Sequence, residues 1–122
     1  MTELLTKNNL QIALLGSSLK TGRPMSLVNN FFKNNGFQIA LLNESSLQHA
    51  ASENSIGKNS TLIIFLPAEE QKQFYHQIVS LKPQRVIFNP GSENPEFEQM
   101  LHSQQIKTLT GCSIALYTLG LL

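Results

Sequence analysis

The chain contains no aspartate. A phosphorylatable aspartate with acidic metal ligands, the apparatus of a response-regulator receiver, therefore cannot be assembled from it. Acids of any kind are missing between Glu3 and Glu44, while Lys7, Lys20, Arg23 and Lys33 fall in that interval, so the local field there is positive. The whole chain has a formal net charge of only +1, which argues against a nucleic-acid partner. Cysteine is scarce too. Cys112 stands alone, which excludes an intrachain disulfide and suits a reducing cytoplasmic location. No run approaches the ~20 apolar residues that span a bilayer. The amino terminus, "MTELLTKNNL", carries Glu3 and no secretory apolar core, so neither a signal peptide nor membrane association is expected. No His, Cys and acid spacing suggests a metal site.

What is present is a regular alternation. At 122 residues and 41% hydrophobic, residues 1–122 read as one globular domain. Apolar runs at 10–15 ("LQIALL"), 37–43 ("FQIALLN"), 61–67 ("TLIIFLP"), 85–88 ("RVIF") and 106–110 ("IKTLT") are strand candidates. Helix-like spacing fills the gaps. Pro24 suits a first helical turn, Leu27, Val28, Phe31 and Phe32 form a stripe, and "NNG" at 34–36 ends it. A short helix is expected in "SLQHAAS". Phe74, Ile78 and Leu81 mark a further helix, ended by Pro83. Asn94 with Pro95 opens another, with Phe97, Met100 and Leu101 inward. "SIALYTLGLL" closes the chain as a short helix or packed tail. Such alternation predicts an α/β fold: a doubly wound five-stranded parallel sheet, three layers α/β/α, with strand order 3-2-1-4-5. Ligands of such sheets collect at the carboxyl ends where the order reverses, here between strands one and four, at "GSSLKTGRP" and "NPGSEN".

The first of these loops is not a Walker A loop, because no lysine is followed by Ser or Thr in the required frame. As a dinucleotide fingerprint it is poor. Counting from Gly16, Ser18 and Thr21 stand where the second and third glycines belong, and strand two ends in Asn43, with Glu44 one residue late for a ribose hydroxyl.

"LLGSSLKTGRPMSLVNNFFKNNGFQIALLN" resembles the opening of the CoA-binding Rossmann-like domain, which is also found at the amino-terminal end of the succinyl-CoA synthetase alpha subunit; the stand-alone members look closest. Gly16, Ser18, Arg23, Pro24, Gly36 and Asn43 match that pattern. "RVIFNPGSENPEFEQM" is similar to a subgroup's fourth-strand segment, and "GCSIALYTLGLL" to its Cys-Thr-Leu-containing carboxyl end. The departures are Ser17 for alanine, Thr21 for proline, Met25 for the serine after Arg-Pro, and Glu44 for the proline after Asn43. The resemblance implies a Rossmann-like fold and coenzyme A, or an acyl-CoA, as ligand.

Physical chemistry assigns places to such a ligand. Amides from Gly16 to Ser18 and the first helix start can donate to phosphates. The Ser17 and Ser18 hydroxyls add donors, Arg23 can grip a phosphate bidentately and Lys20 offers a looser charge. Asn43 stands near ribose or adenine edges, Leu66 and Pro67 can wall the adenine, and Asn89, Pro90 and Gly91 border the pantetheine path. No catalytic residue is assigned. His49, His76 and His102 lack any supporting motif, and Cys112, by default a small buried residue, is the one thiol able to exchange with CoA's sulfur. The expectation is a non-catalytic CoA-binding module. The alternatives are dinucleotide (NAD(P)-type) binding, or the CoA-binding subunit of an acyl-CoA synthetase-like enzyme; a homodimer or partner enzyme is compatible with each.

Overall fold

Each of the five apolar runs forms a strand: β1 (Gln11–Leu15), β2 (Gln38–Leu42), β3 (Ser60–Ile64), β4 (Arg85–Phe88) and β5 (Lys107–Thr110). The computed structural model describes residues 11–17, 22–53 and 56–122, the side chains of 50–53 excepted. Between the strands run α1 (Arg23–Asn34), α2 (Glu44–Glu53), α3 (Ala68–Gln71), a 3₁₀ turn (Lys72–Phe74), α4 (Tyr75–Leu81) and α5 (Pro95–Ser103), and α6 (Ser113–Thr118) follows β5. Every strand pair is parallel. The architecture is a three-layer, Rossmann-like α/β fold.

The strand order is 2-1-3-4-5, which corrects the expected 3-2-1-4-5. The physical reason is burial. All five residues of β3 are buried, as a strand covered on both faces and paired on both edges must be. An order beginning with strand three would have put that apolar run at a sheet edge. β2 and β5, with mostly exposed or half-buried residues, take the edges instead. The reversal therefore falls between β1 and β3, not between strands one and four.

The crossovers explain the layers. A right-handed connection that steps one way along a sheet and a right-handed connection that steps back must use opposite faces. The step from β1 to β2 puts α1 on one face; the later steps put α2, α4 and α5 on the other. Strand side chains divide accordingly. Ala13, Leu15, Leu62, Ile64, Val86 and Phe88 pack with Leu47, Phe74, Ile78, Phe97 and Leu101. Ile12, Leu14, Ile63 and Ile87 pack with Met25, Val28 and Phe32 of α1 and with Leu122.

Within α1 the buried set is Met25, Val28 and Phe32, so Leu27, one step round the helix, is 53% exposed rather than inward. Met100 on α5 is likewise exposed, a second correction. Tyr117 of α6 meets Phe31, Phe32 and Phe37 edge-on at centroid distances of 5.8, 5.5 and 5.6 Å. Such pairs add about 0.5–1.5 kcal/mol each beyond burial, and they fix α6 against α1. Among the described residues no helix is long and apolar enough to cross a membrane.

Candidate functional site

At the carboxyl edge the ladder runs one residue past β1, β3, β4 and β5. The amide of Gly16 donates to Leu42 O at 3.0 Å, that of Phe65 to Leu15 O at 2.9 Å, that of Asn89 to Ile64 O at 3.2 Å and that of Gly111 to Phe88 O at 3.0 Å. Gly16, Phe65, Asn89 and Gly111 thus form a row across four strands. By strand alternation Gly16, Phe65 and Asn89 face the α1/α6 side, and Phe65 packs against that core. The row is flanked by the amino ends of α1 and α6.

These bonds correct one expectation: the Gly16 amide is committed within the sheet and is not a phosphate donor. Gly16 serves another purpose. A Cβ there would lie 2.5 Å from the Met25 sulfur and 3.2 Å from its methyl carbon, so the missing side chain lets Met25, 6% exposed, seat itself on the strand end. The thioether fills the hollow beside Gly16.

What remains for an anion is the start of α1. Its N-cap, Gly22, provides no side-chain cap, and its first turn contains no acid. Arg23 is exposed there, at the first helical residue, and Ser17 is half-buried between it and β1. Ser18 and Lys20 lie outside the described residues.

Asn43 caps α2. Its side-chain oxygen accepts the amides of Ser45 and Ser46 at 2.9 and 3.0 Å, and its own amide donates to Ser46 Oγ at 2.8 Å, a reciprocal cap. That oxygen is occupied by helix capping. Leu66 is only 4% exposed and packs in the core on the α2/α4/α5 side, so it walls nothing, a further correction. Pro67 is exposed at the start of α3.

The turn after β4 is built by buried polar groups. Gln71, fully buried, donates to Leu66 O and Ser92 O, each at 2.8 Å, and accepts from Asn94 Nδ2 at 2.9 Å. Asn94 also donates to Tyr75 Oη at 2.8 Å, and its oxygen caps α5 at Phe97 N, 3.0 Å away. The Asn89 carbonyl accepts from Ser92 N. The exposed Gly91 takes φ +97°, a conformation that suits glycine, and its amide donates to Glu93 Oε1 at 2.9 Å. With an internal carboxylate already there, this turn favours neutral ligand groups over phosphates.

Two buried polar atoms beside the row have no hydrogen-bond partner among the described residues: Asn89 Oδ1, on a residue 6% exposed, and Ser113 Oγ, on a residue fully buried. Leaving such groups unsatisfied costs about 1–3 kcal/mol each. Cys112, immediately before Ser113, is exposed, against the expectation of a buried thiol. Neither the orphaned Asn89 oxygen nor that of Ser113 was legible in the sequence, because an unmet hydrogen bond is a property of packing.

A family model described as a CoA binding domain matches residues 10–118. No curated protein matches the chain. Among solved structures, an uncharacterized protein aligns at 25% identity and TM-score 0.73, over 92% of this chain and 97% of that one. A protein from Thermus thermophilus aligns at 19% identity and TM-score 0.75, over 91% and 90% of the two chains. A conserved hypothetical protein from Pyrococcus furiosus aligns at 18% identity and TM-score 0.64, over 88% and 97%. These last two speak to the fold alone.

Proposed function

Because the chain belongs to the CoA binding domain family, we propose that it binds coenzyme A or an acyl-CoA along the carboxyl edge on the α1/α6 side, without catalysing a reaction. The observation that carries this reading is the buried Asn89 oxygen, without a partner among the described residues, on the row that the acid-free start of α1 flanks. One end of the groove suits an anion and the other a neutral hydrogen-bonding chain, and coenzyme A is a phosphate-rich nucleotide joined to a pantetheine arm with amide groups. The phosphates lie against the amino end of α1, where the helix dipole and Arg23 favour them. The pantetheine arm crosses Phe65 toward Asn89, Pro90 and Gly91, and one of its amide N–H groups donates to Asn89 Oδ1. Pro67 borders the nucleotide. Met25 holds the phosphates off Gly16. The exposed His76 and His102 sit on helices of the opposite face, which supports binding without acid–base chemistry.

Calorimetric titration of the intact chain with CoA, an acyl-CoA and NAD(H) tests the reading. CoA is expected to bind, and Arg23→Ala to weaken it about tenfold, the equivalent of roughly 1.4 kcal/mol for one exposed charge-assisted contact. Binding of NAD(H) without any response to CoA would overturn it in favour of a dinucleotide site.

A further inference from the structure

Cys112 is a free and exposed thiol, and the chain delivers it to the neutral end of the groove. Phe88 and Thr110 are register partners and the Gly111 amide donates to Phe88 O at 3.0 Å, so Gly111 lies beside Asn89 and Cys112 follows it. With strands about 4.8 Å apart and successive Cα atoms about 3.8 Å apart, the Cα atoms of Asn89 and Cys112 lie within about 9 Å of each other. Gly111 puts no side chain between them. A buried oxygen stands on each side of the thiol: Asn89 Oδ1 on the neighbouring strand and Ser113 Oγ on the next residue, neither with a hydrogen-bond partner among the described residues. Asn89 is 6% exposed and Ser113 fully buried. By strand alternation the Asn89 side chain faces the α1/α6 side, and Ile114, Leu116 and Tyr117, which follow Ser113, pack on that same side. One is an acceptor that lacks a donor; the other is a hydroxyl that lacks any partner. A secondary amide answers both, because it offers an N–H to the first and a C=O to the second.

We propose that Cys112 is a covalent attachment point for the pantetheine arm, forming a mixed disulfide with coenzyme A; the proposal rests on the carboxyl-edge reading. In coenzyme A two methylene groups separate the last amide nitrogen from the sulfur. An arm anchored through that amide, its N–H on Asn89 Oδ1 and its C=O on the Ser113 hydroxyl, leaves the sulfur a short and flexible reach from Cys112. The co-reactant is the symmetrical disulfide of coenzyme A. The Cys112 thiolate attacks one of its sulfurs, the existing S–S bond breaks as the new one forms, and one coenzyme A departs as a thiolate that takes up the proton Cys112 released. Disulfide is exchanged for disulfide, so no further oxidant enters. A small reduced thiol reverses the reaction by the same exchange, which makes release of the cofactor responsive to the thiol–disulfide state of the surroundings.

The test is intact-mass spectrometry of the whole chain after timed exposure to CoA disulfide or, in parallel, to oxidised glutathione. One CoA adduct per chain is expected, removed by dithiothreitol, and formed at least tenfold faster than the glutathione adduct. Desulfo-coenzyme A, which fills the groove but has no sulfur, should slow the CoA reaction at least tenfold. In urea that unfolds the chain, the preference for CoA disulfide should vanish. Equal rates with the two disulfides in the native protein overturn the proposal, as does a CoA rate that desulfo-coenzyme A leaves unchanged or a preference that persists in urea. Calorimetry with CoA under reductant separates the two levels of the argument. Binding there without any adduct from CoA disulfide overturns the covalent step and leaves the groove standing, whereas no binding there overturns the groove and the covalent step together.

Discussion

Gly16 is buried with a backbone that any residue can adopt, since its φ lies outside the left-handed region. Gly16→Ala therefore isolates a single contact. Alanine at a compatible site gains about 0.4–1 kcal/mol by restricting the unfolded chain. Against that, its Cβ would lie 2.5 Å from the Met25 sulfur and 3.2 Å from the methyl carbon, so the thioether must move by more than an ångström in a packed interior, on the scale of ordinary van der Waals separations. Overpacking of this kind costs about 1–3 kcal/mol, and the three rotatable bonds of methionine put it toward the low end. The net expectation is a loss of about 0.5 kcal/mol, a fall of roughly 1–3 °C in melting temperature for a chain of this size. Met25→Ala alone costs about 2–5 kcal/mol by opening a cavity. In that background Gly16→Ala should change sign and stabilise, because only the unfolded-state term remains. Thermal and urea denaturation of the four proteins measures the cycle. A neutral Gly16→Ala in the wild-type background, or a penalty that survives Met25→Ala, would refute the close approach. Met25→Ser extends the test to function. Vacating the hollow should tighten CoA binding if the thioether keeps phosphates from the strand end, and unchanged affinity would mean they never approach it.

Gln71→Glu should destabilise the fold by about 2–4 kcal/mol at neutral pH, because a carboxylate would face two carbonyl oxygens that now receive N–H donors. The buried glutamate would have a pKa raised above its unfolded value of about 4.3. The native state then binds more protons than the unfolded state, and stability falls as pH rises from about 4 through the raised pKa. A variant whose deficit relative to wild type is the same at pH 4 and pH 7 would contradict the network geometry. Cys112 is exposed and should react with an alkylating reagent in the native protein at a rate comparable with the unfolded chain. Saturating CoA should slow that reaction if the pantetheine end reaches the start of α6, and an unaltered rate takes Cys112 out of the groove. Leu14 is fully buried and Leu41 is 54% exposed, so Leu14→Ala should cost about 2–5 kcal/mol and Leu41→Ala within roughly 0.5 kcal/mol of zero by urea denaturation.

That last contrast explains why part of the fold was illegible. β1 and β2 have the same pentapeptide, Gln-Ile-Ala-Leu-Leu, and pair residue for residue, Gln11 with Gln38 through Leu15 with Leu42. No local propensity can separate them, yet one is central and the other an edge. Their existence, their direction and the helix between them followed from periodicity, as did the Asn94 cap and the Phe74, Ile78 and Leu81 stripe. Order depends on which strand has covered faces on both sides, and for β3 the continuous apolar run did encode that. Read strictly, it argued for the centre of the sheet and against 3-2-1-4-5.

The site divides in the same way. The acid-free interval around Arg23 is a fact of composition and translated directly into a helix start without acids. The roles of Gly16, Asn43 and Leu66 depended on partners chosen by the three-dimensional fold: a thioether, a helix amino end and a core. Asn43 is instructive, because the hydrogen-bonding capacity that suits a ribose edge also suits a helix cap, and the serine three residues on is close enough to decide the matter. Among the described residues Asn89 has no such neighbour for its oxygen, although its backbone is held by Ile64 and Ser92. A rigidly placed acceptor without a partner among the described residues supports the proposed groove more firmly than the glycine at which the sequence pattern begins.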